Sequence, residues 1–172
     1  EWFCEMIAGL KERFPQVHLK AFTMVEISYL ARRAKISIEE CLRRFKEAGV
    51  DSMPGGGAEV FSERVRRIIC DHKMTGDEWL ETARTAHKIG LKSNATMLYG
   101  HVETPEDRVD HLLKLREVQD DTGGFQTYIP LAFHPENTPM GHLPATSGFE
   151  DLKNIAVARL MPCACANSRS EG

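Results

Sequence analysis

A glycine-rich segment that ends in a carboxylate is the first feature of the sequence that could bind a ligand. Met53 and Pro54 are followed by Gly55, Gly56, Gly57, Ala58 and Glu59. Glycines let backbone N–H groups approach a ligand closely, and Glu59 would point into the same space. No Lys-Ser/Thr pair follows and the spacing is not that of a dinucleotide fingerprint, so phosphate binding is not indicated. A flexible connector is the alternative, but the position after a buried strand favours binding.

A second polar group lies at the end of a later apolar segment. It consists of Asn94, Thr96, His101 and Glu103. A half-buried amide, hydroxyl, imidazole and carboxylate need hydrogen-bond partners, and His101 with Glu103 could transfer protons or bind a ligand. Equally, Glu103 could help to cap the helix that Thr104 begins.

A third group follows the last predicted strand, where two prolines stiffen a loop that contains His134 and Asn137. A rigid polar loop suits substrate binding, although a solvated turn is the alternative. Glu26, which follows the first predicted strand, completes a ring of polar groups, or is a first-turn carboxylate favoured by the helix dipole.

Hydrophobic periodicity and capping signals predict the elements that must position these groups. Strands are expected at 17–22, 50–53, 92–99 and 125–131, and helices near 3–14, 25–33, 37–48, 59–69, 77–89, 104–118 and 150–160. This alternation predicts an α/β fold with a parallel sheet of four strands, too few to close a barrel. Polar groups that follow parallel strands meet at one edge of such a sheet.

Composition narrows the class of protein. The 172 residues carry 22 Lys and Arg against 25 Asp and Glu, without a basic cluster, so a nucleic-acid partner is disfavoured. No apolar run approaches the roughly 20 residues that cross a bilayer, which predicts a soluble, cytoplasmic protein. Five irregularly spaced cysteines fit reduced thiols, and the tail pair Cys163 and Cys165 matches no zinc pattern.

Four motifs in a fixed order resemble the aminofutalosine synthase family of radical S-adenosylmethionine (radical SAM) enzymes of menaquinone biosynthesis. The motifs span residues 53–59, 94–101, 119–125 and 133–138. The resemblance covers residues 1–160 and implies an incomplete radical SAM domain, a partial (β/α) TIM-like barrel whose third to sixth strands lie in this chain. Residues 161–172 depart from the family and are expected to form an irregular tail.

The resemblance also implies a transferase that uses a [4Fe–4S] cluster and consumes SAM. Its C-x-x-x-C-x-x-C motif is absent from this sequence, so we expect the chain to be a fragment that is inactive alone. Members of the family add the 5′-deoxyadenosyl radical to 3-[(1-carboxyvinyl)oxy]benzoate and lose CO2, giving aminofutalosine. Implied partners are these small molecules and an electron donor such as flavodoxin or ferredoxin, with no nucleic acid and no membrane.

Site roles follow from the same resemblance. Gly55, Gly56, Gly57 and Glu59 would hold the ribose and methionine of SAM. Thr96, Leu98, Gly100 and Glu103 occupy a G-x-I-x-G-x-x-E pattern near adenine, with Thr96 in place of the first glycine. The second substrate is expected to meet Glu26, Asn94, His134 and Asn137, and the catalytic candidates are His101 and His134.

Three alternatives remain. Two are related enzymes: cyclic dehypoxanthine futalosine synthase and the radical SAM subunit that builds the deazaflavin chromophore. The cyclic enzyme is expected to carry Trp after the strand's proline, where this chain has Leu131. The third alternative is a non-catalytic relic or a binding module.

Overall fold

A computed structural model describes residues 1–161 of the chain. The helices are α1 (Trp2–Arg13), α2 (Met24–Ala34), α3 (Ile38–Ala48), α4 (Glu63–Ile69), α5 (Gly76–Lys88), α6 (Pro105–Thr122) and α7 (Gly148–Leu160). The strands are β1 (Ser52–Met53), β2 (Lys92–Tyr99) and β3 (Phe125–Ala132). The tail cysteines Cys163 and Cys165 lie outside the described residues.

The strands form one parallel sheet in the order β1-β2-β3. Ser52 pairs with Lys92, and Thr96 pairs with Ile129. The prediction of an α/β partial barrel is confirmed, but the number of strands was wrong, because the described chain has three. The segment 17–22 contributes only an isolated parallel bridge between Lys20 and Ser52, since Phe22 turns to a φ of 61° and starts the approach to α2.

Alternation along β2 divides the sheet into two unlike faces. Ser93, Ala95 and Met97 are buried on the face that the helices cover. On the opposite face, which we call the inner face, Asn94 and Leu98 are only partly buried. Successive strand side chains point to opposite faces, so the helices protect one side and leave the other for a ligand or for further chain.

The main core lies between the helices and the covered face of the sheet. Trp79 of α5 is fully buried, its ring is stacked 6.3 Å from that of Phe125, and Leu42, Leu115 and Met53 are buried in the same cluster. A smaller cluster of Val60, Val65, Met97 and Tyr99 lies near the carboxyl end of β2.

Local side-chain caps set where most helices begin. Thr23, Thr75 and Thr104 each form a capping box with an acidic residue three positions later. The helix predicted from residue 59 begins instead at Glu63. Glu59 has a left-handed φ of 48°, and its carbonyl accepts a hydrogen bond from the N–H of Leu98 at 3.0 Å, so this segment runs beside β2.

Within residues 1–161, each helix is too short or too polar to span a lipid bilayer.

Candidate functional site

The glycine turn, residues 54–59, directs its carbonyl groups into the protein. Gly55 O accepts a hydrogen bond from Thr96 Oγ1 at 2.6 Å, and Gly56 O accepts one from Trp79 Nε1 at 3.2 Å. Among the described residues, the N–H groups of Gly56 and Gly57 donate no hydrogen bond. The turn therefore keeps backbone donors at the carboxyl end of β1, where a ligand with acceptor atoms could use them.

Close packing explains why this turn needs glycine. A Cβ on Gly55 would lie 2.7 Å from Asn94 O, and one on Gly57 would lie 2.3 Å from a methyl carbon of Val25. Gly57 also has a φ of 84°, which side-chain-bearing residues rarely adopt. The glycines allow the turn to pack between β2 and the start of α2.

Arg66 of α4 fixes the turn from behind. It is only 4% exposed, and its guanidinium donates to Ala58 O at 2.7 Å and also to the carbonyls of Gly57 and Met74. A buried guanidinium must use its donors, and here carbonyl dipoles take the place of a carboxylate. Nothing in the sequence marks Arg66, because its spacing looks like that of a solvated helix position.

Glu59, expected beside the glycine N–H groups, forms an ion pair with Lys73 at 2.8 Å. Its carboxylate is therefore already matched by a cation of this chain.

A row of polar contacts crosses the inner face of the sheet. Lys20 Nζ donates to Asn94 Oδ1 at 3.1 Å, and His18 Nε2 lies 2.8 Å from Ser52 Oγ. The hydrogen bond from Thr96 to Gly55 lies next along β2, towards its carboxyl end. Asn94, Thr96 and the glycine turn are thus brought together as the sequence predicted, and Lys20 is added to them.

The loop after β2 is held by a fully buried carboxylate. Glu103 accepts hydrogen bonds from the N–H groups of Gly100 at 2.6 Å and His101 at 2.8 Å. His101 Nδ1 lies 3.0 Å from Glu103, and His101 Nε2 donates to Leu98 O at 3.0 Å. Burial raises the pKa of Glu103, but the hydrogen bonds from His101 and Gly100 outweigh it and lower that pKa to about 2.

This loop is also tied to α7. Arg108 lies 2.8 Å from Glu103 and donates to Glu150 at 2.8 Å, while Tyr99 OH donates to Asp151 at 2.7 Å. Both ring nitrogens of His101 and both oxygens of Glu103 are therefore occupied within the chain. This arrangement gives the loop a fixed shape, and the expected ligand-binding roles of His101 and Glu103 stay predictions.

The remaining candidates lie at the rim of the sheet. Glu26 accepts from Thr23 N at 2.8 Å in the capping box of α2, the helix-start role that the sequence left open. His134 and Asn137 are exposed after β3, and Asn137 has a left-handed φ of 61°. This loop lies beside the loop that follows β2, because the ring of Phe133 contacts that of His101 edge-on, with ring centroids 5.9 Å apart.

The described residues do not fit an iron–sulfur cluster. Residues 1–161 contain no group of three or more His, Cys, Asp or Glu that could hold a metal ion. Cys4, Cys41 and Cys70 are free thiols, and the last two are buried, which raises their pKa. No chemical step can therefore be derived through a cluster held by this part of the chain.

Comparison with known proteins gives this geometry a family context. A sequence model of the radical SAM superfamily matches residues 5–115. The chain is 50% identical over 163 residues to aminodeoxyfutalosine synthase of Thermus thermophilus, covering 92% of this chain and 44% of that protein.

Methanogen proteins form a second set of relatives. They are named as 5-amino-6-(D-ribitylamino)uracil–L-tyrosine 4-hydroxyphenyl transferases. The chain is 42% identical over 167 residues to one from Methanosarcina mazei, covering 94% of this chain and 44% of the relative. It is 45% identical over 159 residues to one from Methanosarcina acetivorans, covering 89% and 42%. The chain thus spans less than half the length of each of these relatives.

Proposed function

Because this chain belongs to the radical SAM superfamily, we propose that it is a segment of a cytoplasmic aminodeoxyfutalosine synthase. The observation that carries this proposal is the 50% identity to the Thermus protein, against 42% and 45% for the two methanogen transferases. The segment would supply the middle of the barrel, and a [4Fe–4S] cluster would be held by residues elsewhere in the full-length enzyme. An external electron donor such as flavodoxin or ferredoxin would serve it.

The residues of the segment would act by binding and positioning. The N–H groups of the glycine turn offer hydrogen bonds to SAM, which when bound supplies the 5′-deoxyadenosyl group. Thr96 and Arg66 hold that turn in place from its two sides. Glu103 fixes the loop after β2 without needing a ligand, so the rim of the site is formed in advance.

The second candidate function is the 4-hydroxyphenyl transfer named for the methanogen relatives, because their identity to this chain also reaches 45%. The two reactions use different acceptors and can be distinguished directly. The full-length protein that carries this chain is reconstituted anaerobically with iron and sulfide, reduced, and given SAM with one acceptor at a time.

Formation of aminofutalosine and CO2 from 3-[(1-carboxyvinyl)oxy]benzoate supports the proposal. Product formation only from L-tyrosine and 5-amino-6-(D-ribitylamino)uracil would replace it with the second candidate. A full-length protein without a C-x-x-x-C-x-x-C motif, unable to cleave SAM, would contradict both and leave a non-catalytic binding module.

A further inference from the structure

The inner face of the sheet carries a cation without a charged partner. Lys20 forms no ion pair among residues 1–161, and its one hydrogen bond there goes to the neutral amide of Asn94 at 3.1 Å. Two other cations near the carboxyl ends of the strands do have charged partners, because Lys73 pairs with Glu59 and Arg108 with Glu103. The positive charge of Lys20 is therefore available to a ligand.

The direction of this side chain is set by the register of the strands. Lys20 bridges to Ser52, which pairs with Lys92 of β2. Asn94 lies two residues beyond Lys92, so the ammonium group leans towards the carboxyl ends of the strands. That is the end at which parallel α/β sheets bind ligands, and the glycine turn lies there.

We propose that Lys20, oriented by Asn94, binds a carboxylate group of the acceptor substrate. This inference rests on the proposed function, whose acceptor carries two carboxylates. Lys20 is exposed and its one hydrogen-bond partner is a neutral amide, so no carboxylate of the described chain competes with the ligand, and charge-assisted hydrogen bonds are the stronger class. Lys20 would thus distinguish the acceptor from uncharged analogues.

Direct binding to the full-length protein in the absence of SAM tests the inference. The Kd of 3-[(1-carboxyvinyl)oxy]benzoate is measured by calorimetry for the wild type and for Lys20→Met, Lys20→Arg and Lys92→Met. Lys92 is the matched control, since it is an exposed lysine on the same face, near the amino end of β2. We expect Lys20→Met to raise the Kd about 10- to 100-fold, Lys20→Arg to raise it less than about 5-fold, and Lys92→Met to leave it unchanged.

Two monomethyl esters of the acceptor separate a direct contact from a structural effect. The ester that lacks the carboxylate bound by Lys20 should bind the wild type as weakly as the free acid binds Lys20→Met. Its Kd should then be the same for the wild type and for Lys20→Met. The inference would be overturned if Lys20→Met weakened the binding of both esters as much as that of the free acid. An unchanged Kd of the free acid in Lys20→Met would also overturn it.

The failure of the inference and that of the proposed function give different results. Wild-type protein that does not bind the acceptor overturns both. An acceptor that binds the wild type and Lys20→Met equally overturns only the role of Lys20. A raised Kd for SAM with an unchanged Kd for the acceptor would also overturn it, because the carboxylate bound would be that of SAM.

Discussion

Two buried histidines should make the folded state sensitive to mild acid. Burial lowers the pKa of His87 to about 4 and that of His111 to about 3, from an ordinary value of 6.5. As the pH falls below 6.5, the unfolded chain takes up these protons and the folded chain does not. Stability that is fully present above pH 6.5 is therefore lost towards pH 4.

The hydrogen bonds show which nitrogen of each ring would have to take up the second proton. His111 Nε2 donates to Thr96 O at 3.0 Å, while its buried Nδ1 has no partner within the described residues. Thr122 uses its hydroxyl proton on Val118 O, so it must accept from His87 Nδ1. Protonating His111 would place an N–H group where the described residues offer no acceptor, and protonating His87 would force the Ser93 hydroxyl, 2.9 Å from Nε2, to stop donating to the ring.

The size of this loss of stability depends little on how far each folded-state pKa lies below about 4. Any folded pKa at or below about 4 gives a loss of about 2 kcal/mol per histidine between pH 7 and pH 5. His87 and His111 together should therefore lower the free energy of unfolding by about 4 kcal/mol in this interval, a large part of the stability of an ordinary domain. Carboxylates titrate mainly below pH 5, so the contribution of the histidines between pH 7 and pH 5 can be separated from theirs.

Urea unfolding at pH 7 and pH 5, followed by the fluorescence of the buried Trp79, measures this loss. A Trp2→Phe background removes the other tryptophan, which is 65% exposed. In His87→Gln, which keeps a donor and an acceptor, the loss should be about 2 kcal/mol smaller. His72→Gln at an exposed site is the control and should match the wild type. An equal pH dependence in wild type and His87→Gln would refute the reasoning.

Two further predictions concern the glycine turn. Arg66→Met should lower the free energy of unfolding by about 3 kcal/mol, because it leaves buried carbonyls without donors. Arg67→Met, on the exposed side of α4, is the control and should change it by less than about 0.5 kcal/mol. Equal urea midpoints for the two variants would contradict this prediction. Gly57→Ala should lower the free energy of unfolding by about 1 to 3 kcal/mol, because of the positive φ of this residue and the clash of the new Cβ with Val25. Gly9→Ala inside α1, with open space around it, should raise it by about 0.5 to 1 kcal/mol. Thermal melting compares the two variants, and stabilisation by both would show that the turn does not require glycine at position 57.

Local signals predicted the helices well and the first strand poorly. Capping residues such as Thr75 and Thr104 act within three residues of themselves, so the sequence displays them directly. A strand depends on partners elsewhere in the chain. Segment 17–22 has the apolar alternation of a strand but pairs only at Lys20, because β1 beside it is just two residues long.

The candidate site shows the same division. The glycine turn and the residues after β2 were found because they are unusual in type and lie where strands end. The residues that orient them were missed, since Arg66 and Lys20 act through carbonyls and amides that a sequence does not mark. Lys20 and Asn94 are 74 positions apart, and only the strand register brings them together.

The strand pairing also has a consequence for the speed of folding. Each pairing joins residues more than thirty positions apart, since Ser52 pairs with Lys92 and Ser93 with Phe125. Helix α5 or α6 lies in each of these connections, and the order β1-β2-β3 contains no hairpin that could form early. A loop must therefore close before any strand contact can form, so α5 and α6 should form and pack first. The sheet should be the slow, late-forming part of the molecule.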